Sequence, residues 1–196
     1  MPKLLVIAVL LLAGCAANVR QAERATYDLG SVAVAWKPAE LAIAGVGVRG
    51  PAWLSGPAIS YRLLYAGDME RNAYVDSRWA APPAELIERA LNRQPSQSEG
   101  GCRLRIDLDE LIQVFDTPQS SRTLFDVRAS LLSPKGETML AHRAFSVAPS
   151  APTPDARGGV AAAAAAVREL GGELNAWLAA TARARPAIAQ RCNALN

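Results

Sequence analysis

The sequence contains few of the residues that enzyme and metal sites require. Its 196 residues include 1 histidine, His142, and 3 cysteines. No serine lies in a G-x-S-x-G motif, so the histidine has no recognisable nucleophile as a partner. The cysteines are too widely spaced along the chain for a zinc site. We therefore expect no enzymatic activity, no metal and no cofactor.

The sequence also lacks a strong charge of either sign. Lysine and arginine together number 21 against 18 acidic residues, and aromatic residues make up 6% of the chain. No basic stripe is interleaved with aromatic side chains, so we expect no nucleic-acid partner. The carboxylates of Asp107, Asp109 and Glu110 are spaced as on the solvated face of a strand, which favours a charge-balanced surface over a catalytic pair.

One glycine-rich segment, GVGVRG at residues 45–50, has the G-x-G-x-x-G spacing of a dinucleotide loop. A proline-containing loop follows it where a helix should begin. We interpret the segment as a strand and a turn.

No apolar run is long enough to cross a bilayer. The run from Leu4 to Leu12 is much shorter than the roughly 20 residues that a spanning helix needs. Lys3 precedes the run and small residues follow it, which is the layout of a secretory signal peptide.

The end of this run, Leu12-Ala13-Gly14-Cys15, resembles the lipobox of bacterial lipoproteins. The thiol of Cys15 would take a diacylglycerol, and the freed amine a third acyl chain such as palmitate. Two or more chains anchor a protein stably. The sequence thus predicts a signal peptide over residues 1–14, lipidation of Cys15 and a tether over residues 15–25. The alternatives are a cleaved signal with an incidental cysteine and an N-terminal anchor.

The remaining cysteines, Cys102 and Cys192, would then lie in an oxidising compartment, where thiols tend to pair. We expect a Cys102–Cys192 disulfide that ties the C-terminal tail to the start of a strand. The alternative is two unpaired cysteines, one buried and one on a frayed end.

The clearest structural signal is the alternation in CRLRIDLDELIQVF, which begins at Cys102 and predicts a strand with one buried face. The alternation breaks at Glu110, which predicts a β-bulge. Two further alternating segments, joined by short turns, predict an antiparallel meander. The other predicted elements are strands over residues 31–36, 41–48, 59–65 and 71–79, a helix opening at Pro83, and a long helix capped at Thr153.

This order predicts an α+β fold: a mainly antiparallel sheet of about five to seven strands, with two helices packed on one face. We expect one domain over residues 26–196.

Large side chains outside the predicted core are candidates for contacts with a partner. Trp53 and Leu54 lie on a loop bracketed by Gly-Pro pairs, which favours an exposed apolar contact. Tyr74 and Trp79 are further candidates, although internal packing is the commoner role of such residues.

The segment YRLLYAGDMERNAYVDSRWAAPPAELIERAL resembles the central part of the ABC-type transport auxiliary lipoproteins, the family of paraquat-inducible protein C-like lipoproteins. LRIDLDELIQVFDTPQSS is similar to the next element of that family, and PTPDARGGVAAAAAA with Trp177 to its closing helix. The 102/192 cysteine pair is not typical of the family.

The resemblance implies a non-catalytic auxiliary component of a lipid transporter, which supports envelope integrity by docking on an MCE-domain protein. It implies a membrane attachment through acylated Cys15, a periplasm-facing location in the cell envelope, and leaves homo-oligomerisation open. Residue 16 is alanine rather than aspartate, which by resemblance to the enterobacterial sorting rule favours the outer membrane.

Two alternatives remain at this point. The chain could bind a lipophilic ligand directly, which needs an apolar cavity of several hundred Å³, about 300 or more. It could also be an envelope hydrolase, in which His142 would have to meet a serine such as Ser130 or Ser146.

Overall fold

The computed structural model describes residues 24–36, 41–93 and 100–194. The predicted signal peptide, Cys15 and most of the predicted tether lie outside these residues. The described chain is an α+β fold with one seven-stranded sheet and three α-helices. The strands are β1 (Ala25–Tyr27), β2 (Ile43–Arg49), β3 (Ala58–Leu63), β4 (Asn72–Trp79), β5 (Cys102–Thr117), β6 (Ser120–Leu132) and β7 (Met139–Val147). The helices are α1 (Pro83–Leu91), α2 (Ala156–Ala184) and α3 (Pro186–Asn193), with a single 3-10 turn over Ala52–Leu54.

The sheet is mixed, which corrects the expectation of a mainly antiparallel one. Its order is β1-β4-β3-β5-β6-β7, and β2 pairs with β5. The predicted meander β5-β6-β7 is antiparallel, as is the β3–β4 pair. However, β1 is parallel to β4, and both β2 and β3 run parallel to β5. Since β6 pairs along the other edge of β5, β2 and β3 share one edge of this central strand.

The long strand β5 follows its sequence pattern closely. Cys102, Leu104, Ile106 and Leu108 are buried, and the residues between them are exposed or half-buried. The pairing with β6 shifts between Leu108 and Glu110, which confirms the predicted bulge. Beyond the bulge Leu111 rejoins the core, so the extra residue keeps the apolar side chains of both halves on one face.

A proline and an aspartate account for where two of the helices begin. α1 starts at Pro83, where no amide donor is needed. α2 is capped by Asp155, whose carboxylate accepts from the N–H of Gly158, and not by Thr153 as the sequence predicted. A third helix, α3, follows Arg185 in a tail that the sequence analysis did not assign to a helix.

α1 and α2 pack on one face of the sheet, here called the helix face, as predicted. Between them lies a crevice too narrow for a water-sized molecule. The crevice is lined by Leu29, Trp79, Pro83, Leu86, Ile87, Leu111, Ala163 and Val167. The opposite face of the sheet is called the open face below.

Residues 31–36 do not form the predicted strand. Val32 and Val34 are buried as the alternation requires, but no sheet partner pairs with this segment among the described residues. Hydrogen bonds to residues of two helices fix this segment instead. The side-chain amide of Asn175 donates to the carbonyl of Ala35, and the indole of Trp36 donates to the carbonyl of Leu91.

The C-terminal tail is tied to the sheet by the predicted disulfide between Cys102 and Cys192. Their Cα atoms are 4.8 Å apart, and both side chains are almost completely buried. The Asn193 side chain also accepts from the N–H of Ala42, 2.9 Å away, just before β2. The disulfide is therefore confirmed, and it holds α3 against the start of β5.

The outer edge of β2 is covered by side chains of α1 and of its C-cap residue, Asn92. The Asn92 amide group accepts from the N–H of Val46 and donates to its carbonyl, at 3.1 and 2.7 Å. A carboxylate oxygen of Glu88 accepts from the N–H of Val48 at 2.7 Å. These bonds replace part of the ladder that a further strand would form.

The N-cap of α2 makes the stability of the fold depend on pH in the acid range. The Asp155 carboxylate accepts from the N–H of Gly158 at 2.7 Å and from the hydroxyl of Thr153 at 2.8 Å. The Gly158 hydrogen bond, and next the Thr153 one, hold the pKa of Asp155 below its ordinary value. A carboxyl with a lowered folded-state pKa contributes stability above its unfolded pKa of about 3.9 and loses it as the pH falls through the folded value.

We therefore expect the melting temperature to decrease as the pH is lowered below about 4, partly because Asp155 becomes protonated. Asp155→Asn keeps a good cap but cannot titrate, so its melting temperature should depend less steeply on pH in this range. Thermal unfolding followed by circular dichroism from neutral pH into acid measures both slopes. Identical slopes for the two proteins would show that the cap does not contribute.

Candidate interaction surfaces

Trp53 is the most exposed large aromatic side chain among the predicted contacts. It lies on the 3-10 turn between β2 and β3, and 63% of its side-chain surface is accessible. The turn is held by hydrogen bonds from Leu54 N–H to the Pro51 carbonyl and from the Ser55 hydroxyl to the Ala52 carbonyl. Trp53 is thus an apolar side chain presented on a well-bonded turn.

The other predicted contact residues lie deeper. Leu54 and Trp79 are 3% and 4% exposed and belong to the hydrophobic core. Tyr74 is half-buried and packs against Tyr61, with ring centroids 4.7 Å apart. Of the four, only Trp53 therefore offers a largely free apolar surface to a partner.

A buried polar cluster surrounds Tyr74. Its hydroxyl donates to Gln113 Oε1 at 2.9 Å, and Gln113 Nε2 donates to the Ser121 hydroxyl at 2.8 Å. Burial raises the pKa of Tyr74, and the nearby charge of Asp155 adds to this. The hydroxyl therefore stays protonated, and the cluster joins strands to each other without supplying a proton-transfer group.

The residues of the hydrolase alternative share the open face but do not form a catalytic pair. His142 on β7 is the register partner of Ser130 on β6. Ser130 is 6% exposed, and no hydrogen bond joins its hydroxyl to His142 among the residues described. Ser146 lies further along β7, where Asp126 is its register partner.

Charged side chains next to the bulge form ion pairs on the open face. The Arg128 guanidinium donates two hydrogen bonds to Asp109, at 2.8 and 2.7 Å, and Arg71 is paired with Glu110. The Asp109 partner raises the pKa of Arg128 further. The acids that the sequence suggested as a carboxylate pair are thus neutralised by arginines.

A groove of about 420 Å³ runs along β2, from the open face to the edge covered by α1. Arg103 and Arg105 line it from β5, and Arg49 lines it from the end of β2. Gly45 and Gly47 are the register partners of Arg103 and Arg105. The sequence analysis missed this groove, although the repeated glycines were the signal that could have revealed it.

Two properties of the described residues bear on function. Nowhere in residues 24–36, 41–93 and 100–194 do three or more histidine, cysteine or acidic side chains lie together as metal ligands would. Within the same ranges no helix has the length and apolar character to traverse a membrane.

A family model described as "ABC-type transport auxiliary lipoprotein component" matches residues 27–175. The chain belongs to this family. The match spans strands β2 to β7, α1 and most of α2, which is the larger part of the fold. It confirms the resemblance drawn from the sequence and indicates a role beside an ABC transport system in the cell envelope.

Solved structures share the fold of this family member. Protein XCC0632 from Xanthomonas campestris, described as a DUF330 protein, has a TM-score of 0.67 at 20% sequence identity, covering 82% of this chain and 98% of its own. A second structure, of an uncharacterized protein, has a TM-score of 0.55 at 13% identity, covering 80% and 99%. No curated protein matches the chain significantly.

Proposed function

We propose that this chain is a non-catalytic, lipid-anchored auxiliary component of an ABC transporter that moves lipids with an MCE-domain protein. In this proposal acylated Cys15 holds the domain on the periplasmic side of the envelope, at the outer membrane, and the domain docks on the MCE-domain partner. The docked complex supports envelope integrity. The observation that carries the proposal is the family match over residues 27–175.

The N-terminal sequence supports the anchor. Cys15 follows a short apolar run and the lipobox-like Leu-Ala-Gly, and β1 begins at Ala25. Ten residues of extended chain reach at most about 33–36 Å, so the tether would keep the domain near the membrane while leaving it free to reorient.

Trp53 supports docking on a protein. Tryptophan is enriched among the residues that dominate binding energies at interfaces. Its indole ring has few rotatable bonds, and the hydrogen-bonded turn beneath it loses little freedom on binding. Buried Leu54 fixes this turn to the core, which is how a predicted contact residue can act without touching the partner.

Trp53→Ala should weaken capture of the MCE-domain partner by about 2 kcal/mol, or roughly thirtyfold, if the indole is a central contact. Trp53→Phe retains an aromatic ring and should bind more tightly than the alanine variant. The measurement is quantitative recovery of partner from the native envelope in mild detergent with the tagged, full-length lipoprotein. Trp53 is exposed, so neither change should affect thermal unfolding.

Cys15→Ser separates the anchor from the docking surface. This variant should leave the membrane fraction, yet the purified protein should still bind the partner in detergent. If wild-type protein recovers no MCE-domain protein in repeated experiments, the docking proposal fails. If Cys15→Ser stays in the membrane fraction, the acylation proposal fails independently.

Direct binding of a lipophilic ligand finds less support. The crevice between α1, α2 and β5 has the apolar lining that such a ligand needs, but it is closed by packing. A pocket for a drug-sized ligand has about 300–1,000 Å³ of space. The larger groove along β2 has that volume, but arginines line it, and its chemistry is different.

A further inference from the structure

Gly45 and Gly47 in β2 are required neither by a left-handed backbone nor by a close contact, although the pairing of β2 with β5 shifts between Ile43 and Gly45. Neither has a positive φ, which within the described residues occurs at Gly30, Gly100 and Gly136. A Cβ atom at position 45 or 47 would meet nothing within 4 Å. Glycine in a strand is less stable than alanine by roughly 0.5–1 kcal/mol, and Gly47, which lies in the regular part of the pairing, has no local conformational reason to be glycine.

Other glycines of the chain contrast with this pair. A Cβ at Gly101 would lie 2.7 Å from the Ala42 carbonyl oxygen, and one at Gly171 would lie 2.5 Å from a methyl group of Val34. Those positions exclude a side chain because the space is occupied. At Gly45 and Gly47 the space is empty, so the effect of glycine is to leave the groove along β2 open.

The groove that this creates is lined by cations. Register places Gly45 beside Arg103 and Gly47 beside Arg105, on neighbouring strands about 4.8 Å apart. Arg49 follows two residues after Gly47 on the same face of the strand. Three arginines therefore line a space of about 420 Å³, with Leu132 at its side.

These arginines are not fully paired by the protein. Arg49 has no hydrogen bond or ion pair with any residue in the described part of the chain. Arg105 Nε lies 3.3 Å from a carboxylate oxygen of Asp107, but it is buried and the geometry makes no hydrogen bond. Arg103 Nε donates to the carbonyl of Pro134, which leaves its terminal nitrogens available.

Glu88, an acidic residue that also lines the groove, already makes a hydrogen bond within the protein. One oxygen of the Glu88 carboxylate accepts from the N–H of Val48 at the edge of β2. This bond directs the carboxylate towards the backbone of β2. The arginines thus outnumber the acids around the open space.

We propose that this groove binds a phosphate group, carried either by an anionic phospholipid headgroup or by a small phosphate compound. Guanidinium groups bind phosphate oxygens through paired, charge-assisted hydrogen bonds, and several of them can share one phosphate. A groove of this volume holds more than a bare ion, which leaves space for a glycerol or similar headgroup. The site depends on neither the Cys15 anchor nor a docked partner.

The groove can be filled without disturbing the fold. A valine at position 47 meets open space and suits a strand better than glycine, so Gly47→Val should unfold at the same temperature as wild type or higher. Arg105→Gln removes one cation and leaves the space open. Gly172→Ala and Arg168→Gln on α2 make similar changes away from the groove.

The test uses full-length acylated protein in dodecyl maltoside micelles and isothermal titration with three probes. These are inorganic phosphate, glycerophosphoglycerol, and dihexanoyl phosphatidylglycerol below its micelle concentration. We expect wild type and both α2 variants to bind equally. We expect at least tenfold weaker binding by Gly47→Val and by Arg105→Gln, with all five proteins folded by circular dichroism.

The probes distinguish the source of the phosphate. Binding of the lipid alone supports a headgroup site, and binding of all three probes with similar affinity supports a site for small phosphates. The proposal is overturned if wild type binds none of them, or if Gly47→Val binds as wild type does.

Discussion

Replacing Cys102 and Cys192 with alanine should lower the free energy of unfolding by about 4–5 kcal/mol. The residues are 90 positions apart, and the chain-entropy model assigns that value to a loop of this length. Half of this effect would already be a large share of the roughly 5–15 kcal/mol by which domains are stable. Urea unfolding of the double variant and of wild type, each followed by tryptophan fluorescence, measures the difference.

Loss of the disulfide should act first on α3. This helix has only eight residues, and isolated helices shorter than about 12 residues are marginal in water. Besides the disulfide, the Asn193 side chain joins it to Ala42. We expect the amides of residues 186–193 to exchange with solvent rapidly in the double variant, while those of β5 and β6 remain protected.

Single and double variants supply the control. Either single replacement opens the same loop, so Cys102→Ala, Cys192→Ala and the double variant should be destabilised by similar amounts. A reductant should destabilise wild type to the same extent and leave the double variant unchanged. Equal stabilities of wild type and double variant would show that the bond contributes nothing.

Gly158→Ala should destabilise the protein by about 2–4 kcal/mol, the second large effect. A Cβ atom at this position would lie 1.9 Å from the carbonyl oxygen of Thr153 and 2.6 Å from its hydroxyl. The first of these atoms belongs to the backbone, so the start of α2 must move. That movement breaks the Asp155 cap, worth about 1 kcal/mol, and adds strain of about 1–3 kcal/mol.

Gly172→Ala is the matched control, because it makes the same substitution in the same helix. A Cβ atom there meets nothing within 4 Å. Alanine is favoured over glycine in a helix by up to about 1 kcal/mol, so this variant should be more stable than wild type. Thermal and urea unfolding of both variants measure the contrast in sign. A loss of stability at Gly172, or none at Gly158, would contradict the described contacts.

The sequence was sufficient for the elements whose signal is local. Alternation predicted β5, and the break in its phase predicted the bulge at Glu110. Proline marked the start of α1, and the predicted cap of α2, Thr153, was two residues from the observed cap at Asp155. Each of these depends on neighbours within a few residues, which is the range over which periodicity and capping act.

The sequence did not predict how strands that are distant along the chain pair with one another. Alternation shows which side chains of β2 and β3 are buried, but it does not show that both strands run parallel to β5. The segment at residues 31–36 makes the same point. Its buried Val32 and Val34 alternate as in a strand, but the segment packs on helices, because Gly171 lets Val34 approach the backbone of α2.

The candidate sites also divide into those that the local sequence predicts and those that depend on long-range pairing or packing. Trp53 was identified because its Gly-Pro brackets predict an exposed loop. Trp79 has an equally large side chain but lies in the core, and only the packing of β4 against the helices decides this. The arginine groove needed the register between β2 and β5, since Gly45 and Arg103 are distant in sequence and adjacent in the sheet.

The side chains that α1 and its C-cap residue place along β2 have a consequence for self-association. A bare strand edge would allow the sheets of neighbouring copies to pair and aggregate. Asn92 occupies the backbone groups of Val46 on that edge, and Glu88 occupies the amide of Val48. These backbone groups are therefore not available for pairing with a foreign strand.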